Sequence, residues 1–237
     1  MAPKKLELIY EGKAKKVFST EDSELVIQYF KDDATAFNKQ KYAIIEGKGI
    51  LNNEISSIIM SKLKEILPTH FIEKLNEREQ LVKKVTIFPI EVTVRNIAAG
   101  NFVKNFGVES GMVFPFPSVE FYYKKDELGD PAISLNQILV LEIASREQMA
   151  KLEEYALKIN TFLKEFFAKC GIKLVDFKVE FGLTSKGEIV LADEISPDTC
   201  RLRDIQTGKI LDKDIFRQEL GSLVEGYTEV LTRIKGI

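Results

Sequence analysis

Charged and apolar residues alternate along the stretch from Leu174 to Phe181. Successive side chains of a β-strand point to opposite faces, so this stretch places three charged side chains on one face: Asp176, Lys178 and Glu180. Residue types of this kind suit a cation and a phosphate group. For one strand taken alone, however, a solvent-exposed outer face explains the pattern better than a binding site does.

The next apolar strand strengthens the case for a site. It follows a predicted hairpin turn at Ser185–Lys186, and with that apex Lys178 pairs with Asp193 and Glu180 with Leu191. Asp193 then shares a face with Glu180. A carboxylate within an apolar strand is costly unless a cation compensates it, and two carboxylates beside a lysine suit Mg²⁺ and phosphate. A register slip of one residue would place the carboxylates on opposite faces.

Basic residues recur at three further places. The loop from Ser196 to Asp204 carries Arg201 and Arg203, which suit a bidentate phosphate contact, although simple solvent exposure explains the loop equally well. The segment 11–16 joins two strands through a glycine and three lysines, and by itself a charged hairpin tip explains it better than phosphate binding. Arg95 precedes small residues and suits either an anionic ligand or a structural salt bridge.

Composition limits the class of protein. The chain has 237 residues, of which 45% are hydrophobic and 30% charged, which is typical of a globular protein. Its formal net charge of -2 argues against a purely electrostatic nucleic-acid binder. The two cysteines indicate neither a zinc site nor a disulfide framework. With one histidine, His70, predicted in a loop, a Ser–His–Asp triad or a multi-histidine metal site has little basis.

No signal peptide and no apolar run of roughly 20 residues is present, so we expect a cytoplasmic protein. Strands are predicted first, followed by a helix from Ile50 to Leu67 that Pro68 ends. Turns are predicted to dominate 98–136, and helices follow at Glu147–Lys169 and Asp214–Ile234. This order predicts an α+β fold, divided into an N-terminal lobe at 1–85 and a larger lobe at 86–237.

Six segments together resemble one family, phosphoribosylaminoimidazole-succinocarboxamide synthase, or SAICAR synthetase. The segments are YEGKAKKVF at 10–18, GKGILNN at 47–53, LVKK at 81–84, VRNIAAGN at 94–101, LVDFKVEFG at 174–182 and LADEISPDTCRLRD at 191–204. They occur in the family's order over nearly the whole chain. The resemblance implies a two-lobed α+β fold related to the nucleotide-binding lobes of kinases. It also implies a homodimer.

The resemblance implies an activity as well: ATP-dependent joining of L-aspartate to the carboxylate of carboxyaminoimidazole ribonucleotide, with Mg²⁺. The residues it implies for ATP are Lys13, Ala14 and Lys15 over the phosphates, Leu81, Val82, Lys83 and Lys84 beside adenine, and Glu180 and Asp193 as magnesium ligands that also contact the nucleotide. For the ribonucleotide it implies Arg95, Asn101, Ser196, Asp198 and Arg201, with Asp176 and Lys178 as catalytic residues. Some members carry serine at the position of Asn101. The base that deprotonates aspartate is not identified, Asp176 being one candidate, and 124–131 is one location for the aspartate pocket.

Two other classes remain as alternatives. A kinase-like phosphotransferase would use the same magnesium site on a hydroxyl substrate, but the chain lacks H-R-D-x-x-x-x-N and D-F-G motifs. A regulatory module would bind a nucleotide without catalysis, but the charged residues around the strand pair exceed what binding requires. ADP release that depends on aspartate would separate the three classes.

Overall fold

The first half of the chain forms an antiparallel sheet and one long helix. A computed structural model describes residues 3–36 and 40–237, and in chain order this half contains β1 (Lys5–Glu11), β2 (Lys15–Thr20), β3 (Leu25–Phe30), β4 (Asp33–Ala36), β5 (Lys41–Ile44), α1 (Lys48–Leu63), β6 (Phe71–Lys74) and β7 (Glu79–Lys83). The sheet has the order β1-β2-β3-β7-β6, and β4 and β5 form a separate ribbon. This half follows the predicted pattern of strands around one helix.

The second half builds the sheet that carries most of the candidate residues. It contains β8 (Thr86–Ile97), α2 (Asn101–Phe106), β9 (Val113–Tyr123), a 3₁₀ turn (Asp126–Leu128), α3 (Leu135–Val140), α4 (Arg146–Lys169), β10 (Ile172–Leu183), β11 (Ile189–Ala192), β12 (Cys200–Asp204), α5 (Asp214–Arg217) and α6 (Leu223–Lys235). The sheet order is β11-β10-β8-β9, and β12 also pairs with β10. The predicted α+β class is confirmed.

Helix α4 covers one face of this second sheet. Ser145 caps its first turn by accepting a hydrogen bond from the Gln148 N–H, and the Gln148 side chain bonds back to Ser145. Its apolar stripe, which includes Leu152, Ile159 and Leu163, is fully buried with residues of β8 and β10 in the main core. The predicted helix Glu147–Lys169 is therefore confirmed, and it begins one residue earlier.

Three predicted elements differ from the structure. Helix α1 ends at Leu63 rather than before Pro68, because the Leu63 carbonyl accepts the N–H groups of both Ile66 and Leu67 and the chain tightens into turns. The predicted helix Asp214–Ile234 is two helices, α5 and α6. Gly221, between them, has φ +128, a conformation that a helix does not contain.

The third difference concerns 98–136, where turns were predicted to dominate. Strand β9 runs for 11 residues through this region and includes Pro115 and Pro117. It lies at the edge of the second sheet, where β8 is its one neighbour among the named strands and only its last residues bond to 131–133 on the outer side. An edge strand tolerates proline where one side of its backbone needs no partner. The prolines therefore indicated an edge strand and not a turn.

The boundary between the two sheets falls between β7, which ends at Lys83, and β8, which begins at Thr86. The apolar face of α1, with Ile55 and Ile59, nevertheless packs in the same core as β8 and α4. The division into domains at 85/86 stays a prediction. Among the described residues, no helix is long and apolar enough to cross a membrane.

Candidate functional site

The β10–β11 hairpin has a register that differs from the predicted one. Glu180 pairs with Ala192, one residue away from the predicted pairing with Leu191. The predicted pairing of Lys178 with Asp193 is wrong for the same reason. Alternation along β11 therefore does not bring Asp193 onto the face of Glu180.

The geometry of the turn explains the shift. The turn does centre on Ser185–Lys186, and the Gly187 N–H donates to the Thr184 carbonyl at 2.9 Å. Gly187 has φ +77, and the Thr184 N–H donates to the Glu188 carbonyl at 3.0 Å. This is the pattern of a turn followed by a glycine bulge, which adds one residue to one strand. A two-residue loop was assumed, and the third residue moved the register by one.

Asp193 reaches the site by a different route. It lies directly after β11 with φ +67, so the chain leaves the strand there and strand alternation no longer directs its side chain. Its carboxylate forms an ion pair with Lys15 of β2, whose ammonium also lies 2.5 Å from Glu194 Oε2. The structure thus brings together two residues assigned to the nucleotide, Lys15 and Asp193, from positions 178 residues apart.

Glu180 and Lys178 project from β10 and have partners on the neighbouring chain segments. Glu180 forms an ion pair with Lys124, which follows β9. The Lys178 ammonium lies 2.7 Å from Glu91 Oε2 on β8. The charges on one face of the strand were predicted from the sequence, and the structure adds that neighbouring elements compensate Lys178 and Glu180.

Three predicted residues meet at the centre of the second sheet. Asp176 is the cross-strand neighbour of both Arg95 on β8 and Arg201 on β12. Its Oδ2 atom accepts hydrogen bonds from Arg95 at 2.5 Å and Arg201 at 2.7 Å. Arg95 also binds Glu120 at 2.7 Å, and its side chain is 5% exposed against 19% for Arg201. Of the two arginines, Arg201 is the more accessible to a ligand.

The loop before α2 packs directly on Arg201. Gly100 has φ +57, and a Cβ atom there would lie 2.6 Å from Arg201 Nη2. The sequence indicated that small residues here admit a close approach to the backbone, and a guanidinium makes that approach. Asn101, which begins α2, is exposed beside this loop.

Asp198 lies in the interior between β11 and β12. Its carboxylate accepts hydrogen bonds from Lys48 at 2.6 Å, Asn52 at 2.9 Å and Tyr227 at 2.6 Å. Burial would raise the pKa of Asp198, but the charges of Lys213 and Lys48 outweigh it and hold the pKa well below its usual range. This buried carboxylate ties α1 and α6 to the loop that carries the site.

Ser196 is fully buried in the same loop. Its hydroxyl accepts the Asp198 N–H at 3.1 Å and donates to Glu194 at 3.2 Å. These bonds shape the turn between β11 and β12. The predicted contacts of Ser196 and Asp198 with a substrate stay predictions.

The turn between β1 and β2 carries the other lysine assigned to phosphate. It is closed by the Gly12 N–H, which donates to the Lys15 carbonyl at 2.8 Å. Lys13 extends to Asp126 at 2.9 Å, and the Ala14 carbonyl accepts the Lys31 N–H at 2.8 Å. Lys13 and Lys15 thus contact carboxylates on two segments of the second half of the chain.

The segment Leu81–Lys84 connects β7 to the next strand. Leu81 and Val82 are buried, whereas Lys84 is exposed. The Lys83 N–H donates to the His70 carbonyl at 2.7 Å, and the Lys84 N–H donates to the Glu24 carbonyl at 2.7 Å. The predicted contact of these residues with adenine stays a prediction.

His70 lies between α1 and β6, outside any helix or strand, as predicted. It is nevertheless buried, at 3% exposure, and its backbone N–H donates to the Leu191 carbonyl at 2.8 Å. The imidazole Nε2 has no hydrogen-bond partner within the described part of the chain. Burial lowers the pKa of His70 to about 3, helped by the charges of Lys15 and Lys83. The side chain is therefore neutral at physiological pH.

Two site residues were not identified from the sequence, Lys48 and Glu194. Lys48 is 1% exposed and its partner Asp198 is 150 residues away, which no local pattern reveals. Both residues do lie inside the quoted motifs, at GKG and ADE. That position was the only available signal.

Taken together, the contacts define a class of protein. Buried arginines, lysines and carboxylates converge on β8, β10 and the exits of β11, on a scaffold of two antiparallel sheets. Many ion-paired side chains lie close together here, and the site residues described above include no nucleophilic cysteine or histidine. Such a site suits an α+β enzyme that positions anionic, phosphorylated substrates.

Comparisons with known proteins identify the family. The SAICAR synthetase family profile matches residues 8–234. A curated phosphoribosylaminoimidazole-succinocarboxamide synthase from Bacillus cereus strain G9842 is 54% identical over 234 residues, which cover 98% of each chain. The crystal structure of such a synthase from Ehrlichia chaffeensis has a TM-score of 0.95 at 54% identity, covering 98% of this chain and 99% of that one. The chain belongs to the SAICAR synthetase family.

A further structure, a SAICAR synthetase in complex with ADP, has a TM-score of 0.94 at 49% identity and covers 98% of both chains. The expected fold and ligase class are confirmed. The chain is an ATP-dependent ligase of purine biosynthesis. The phosphotransferase and the regulatory module are correspondingly disfavoured.

Proposed function

We propose that this ligase joins L-aspartate to the carboxylate of carboxyaminoimidazole ribonucleotide, consuming ATP and releasing ADP and phosphate. The observation that carries the proposal is the 54% identity to a curated synthase over 98% of both chains. The ribonucleotide, aspartate and ATP are the partners, and nucleic acid and membrane are not.

The chemistry needs an activated carboxylate, because a carboxylate is a poor electrophile. A carboxylate oxygen attacks the γ-phosphorus of ATP, the bond to the β-phosphate oxygen breaks, and ADP leaves. The amine of aspartate then attacks the acyl carbon, loses a proton and displaces phosphate, which carries away the carboxylate oxygen. Such a transfer requires positioning and charge neutralisation more than covalent participation by the protein.

The loop with Lys13, Ala14 and Lys15 would cover the ATP phosphates, and 81–84 would contact adenine. The carboxylate that holds Lys15 belongs to Asp193, so the lysine lies where phosphate and metal charges would meet. A lysine in this position acts as a point charge towards phosphate. The buried Leu81 and Val82 would supply an apolar surface for the base.

Glu180 and Asp193 would hold Mg²⁺. Both side chains are mostly buried, at 16% and 17% exposure, and a lysine ammonium compensates each one, so a cation suits both positions. Carboxylate oxygens are the ligands that Mg²⁺ prefers, and it commonly takes one or two of them together with substrate phosphates and waters. When bound, it would neutralise charge on the transferred phosphoryl group.

Arg201 would contact the ribonucleotide directly, because it is the more exposed of the two arginines on Asp176. Arg95, the more buried of the two, would add positive charge behind Arg201. Asn101, Ser196 and Asp198 would complete the pocket. Lys178 would stabilise charge on the reacting carboxylate. Asp176 holds the arginines and is a candidate base for the aspartate amine.

The test is an omission experiment on the purified chain. ADP release is measured with ATP alone, with each second substrate, and with all three, and the amide product is identified by mass. We expect ADP release only with all three substrates. Release that ignores aspartate would indicate a phosphotransferase, and negligible release under all conditions would indicate a binding module.

The metal assignment has its own variants. Glu180→Gln and Asp193→Asn should each reduce turnover strongly without unfolding the chain, because each removes a charge that a metal requires. Glu153→Gln is the matched control, since it makes the same change at an exposed position on α4, away from the residues assigned to ATP. Normal turnover in both site variants would contradict the assignment.

We also propose a cytoplasmic homodimer. The family resemblance supports the dimer, and the absence of a membrane-spanning helix among the described residues is consistent with the location. Light scattering of the eluting protein would give its mass. A mass of one chain at assay concentration would contradict the dimer.

A further inference from the structure

Two cations lie one turn apart at α5. Lys213 caps the helix and Arg217 is its last residue, so the two side chains have the i, i+4 spacing that places them on one face. Like charges with this spacing repel each other. An arrangement of this kind is stabilised when an anion binds between the charges.

Lys213 is poorly compensated by the protein itself. Its side chain is 13% exposed, and the nearest carboxylate oxygen in an ion pair, Asp198 Oδ1, is 4.0 Å from its ammonium. That carboxylate already accepts hydrogen bonds from Lys48 and Tyr227 at 2.6 Å and from Asn52 at 2.9 Å. Within residues 3–36 and 40–237, no hydrogen bond to the Lys213 ammonium is found.

The electrostatic environment agrees with this geometry. The pKa of Lys213 is lowered to about 8: burial is the largest cause, Asp198 opposes it, and the charges of Lys48, Arg217 and Lys178 add to the lowering. Contacts place α5 beside the candidate site, because Arg217 pairs with Asp214 and the same carboxylate pairs with Arg201.

Arg217 is similarly under-used. One nitrogen, Nη1, binds Asp214 Oδ1 at 2.7 Å. The Asp214 carboxylate is shared with Arg201 at 3.1 Å and Arg203 at 3.0 Å. The Arg217 side chain is 29% exposed, and in the described part of the chain its remaining N–H groups make no hydrogen bond. An accessible guanidinium edge of this kind suits a carboxylate.

We propose that Lys213 and Arg217 bind the carboxylates of the amino-acid substrate, with Arg217 gripping one carboxylate and Lys213 neutralising the other. The identification of that substrate as L-aspartate rests on the proposed function. A dicarboxylate matches two adjacent cations in number and sign. Arg95 and Arg201 share Asp176, and Arg201 also shares Asp214 with Arg217, so the proposed aspartate site would border the residues proposed for the ribonucleotide.

Steady-state kinetics of Lys213→Met and Arg217→Gln test the proposal. The KM for L-aspartate should rise by about 10- to 100-fold in each, the range expected when one charged hydrogen bond is lost. The KM values for ATP and for the ribonucleotide should not change. Lys209→Gln is the matched control, because Lys209 lies in the same segment, is 58% exposed and pairs with Glu229. It should leave all three KM values unchanged.

Succinate provides a second readout, because it has both carboxylates and no amine. It should inhibit the wild type competitively against aspartate, and its inhibition constant should rise in step with the aspartate KM in both variants. Thermal melting separates binding from folding. Removing an under-compensated buried cation should leave the Tm of Lys213→Met unchanged or raise it.

Three results would overturn the proposal. A rise in the KM for the ribonucleotide instead of aspartate would assign the pair to that substrate. Unchanged kinetics in both variants would leave 124–131 as the candidate aspartate pocket. A lowered Tm with an equal rise in the KM for all three substrates would show that the pair has a structural role. Failure of the proposed function looks different, because the wild-type chain itself would then show no aspartate-dependent ADP release.

Discussion

His70 gives the protein a dependence of stability on pH that one substitution should remove. The side chain is 3% exposed, and its pKa falls from 6.5 to about 3 on folding because burial disfavours the imidazolium. The unfolded chain therefore binds more protons than the folded chain between these two values. Stability from this group is fully present above about pH 6.5 and is lost progressively as the pH falls towards 3.

The magnitude follows from the two pKa values. At pH 5 the histidine is almost fully protonated in the unfolded chain and almost fully neutral in the folded one. The free energy of unfolding should therefore be about 2 kcal/mol lower at pH 5 than at pH 8 on account of His70 alone. His70→Gln cannot take up this proton, so it should lack that part of the loss. Carboxylates that also titrate are common to both proteins and cancel in the comparison.

The assay is urea unfolding at pH 5 and at pH 8. Thr69→Val is the matched control, because Thr69 is the buried neighbour with an unpartnered hydroxyl and does not titrate. Its free energy of unfolding should fall between the two pH values by as much as that of the wild type. If His70→Gln loses as much stability as the wild type on acidification, the histidine accepts its proton in the folded state, and the reasoning from burial is refuted.

Three further substitutions test individual contacts. Gly49→Ala should lower the free energy of unfolding by about 1–3 kcal/mol in urea titration, since its Cβ would lie 2.5 Å from the carbonyl oxygen of Phe30; unchanged stability would show that the backbone relaxes there. Gly100→Ala should raise the KM for the ribonucleotide by displacing Arg201, which steady-state kinetics would detect, and an unchanged KM would separate that arginine from the substrate. Tyr227→Phe should cost about 1.5–3 kcal/mol of stability, because its hydroxyl donates to a buried carboxylate at 2.6 Å; equal melting curves would contradict this.

Local patterns predicted elements well where a single physical signal dominated. Helix α4 has a continuous apolar stripe, which predicted its limits to within one residue, and the capping box at Ser145 accounts for the observed start. The final helix has an equally clear stripe, but Gly221 adopts φ +128 and divides it. Periodicity does not reveal a backbone break when the apolar spacing continues beyond it.

The site residues were named largely through the family resemblance, and the structure explains why the residue patterns alone were insufficient. The Lys15–Asp193 and Lys48–Asp198 pairs join positions 178 and 150 residues apart, which alternation within a strand cannot predict. Alternation did place Lys178 and Glu180 correctly on β10. The bulge at Gly187 shifts the register of β11 by one residue, so alternation predicts the wrong face for Asp193.

The central claim is that ATP activates a substrate carboxylate before aspartate displaces phosphate. It is tested most directly with carboxyaminoimidazole ribonucleotide labelled with ¹⁸O in its carboxylate. After complete turnover with ATP and L-aspartate, the phosphate is analysed by mass. We predict that each phosphate released from fully labelled substrate carries a single ¹⁸O atom, since the carboxylate oxygen leaves with the phosphoryl group. Unlabelled phosphate would mean that ATP was hydrolysed without activating the carboxylate, and would contradict the mechanism.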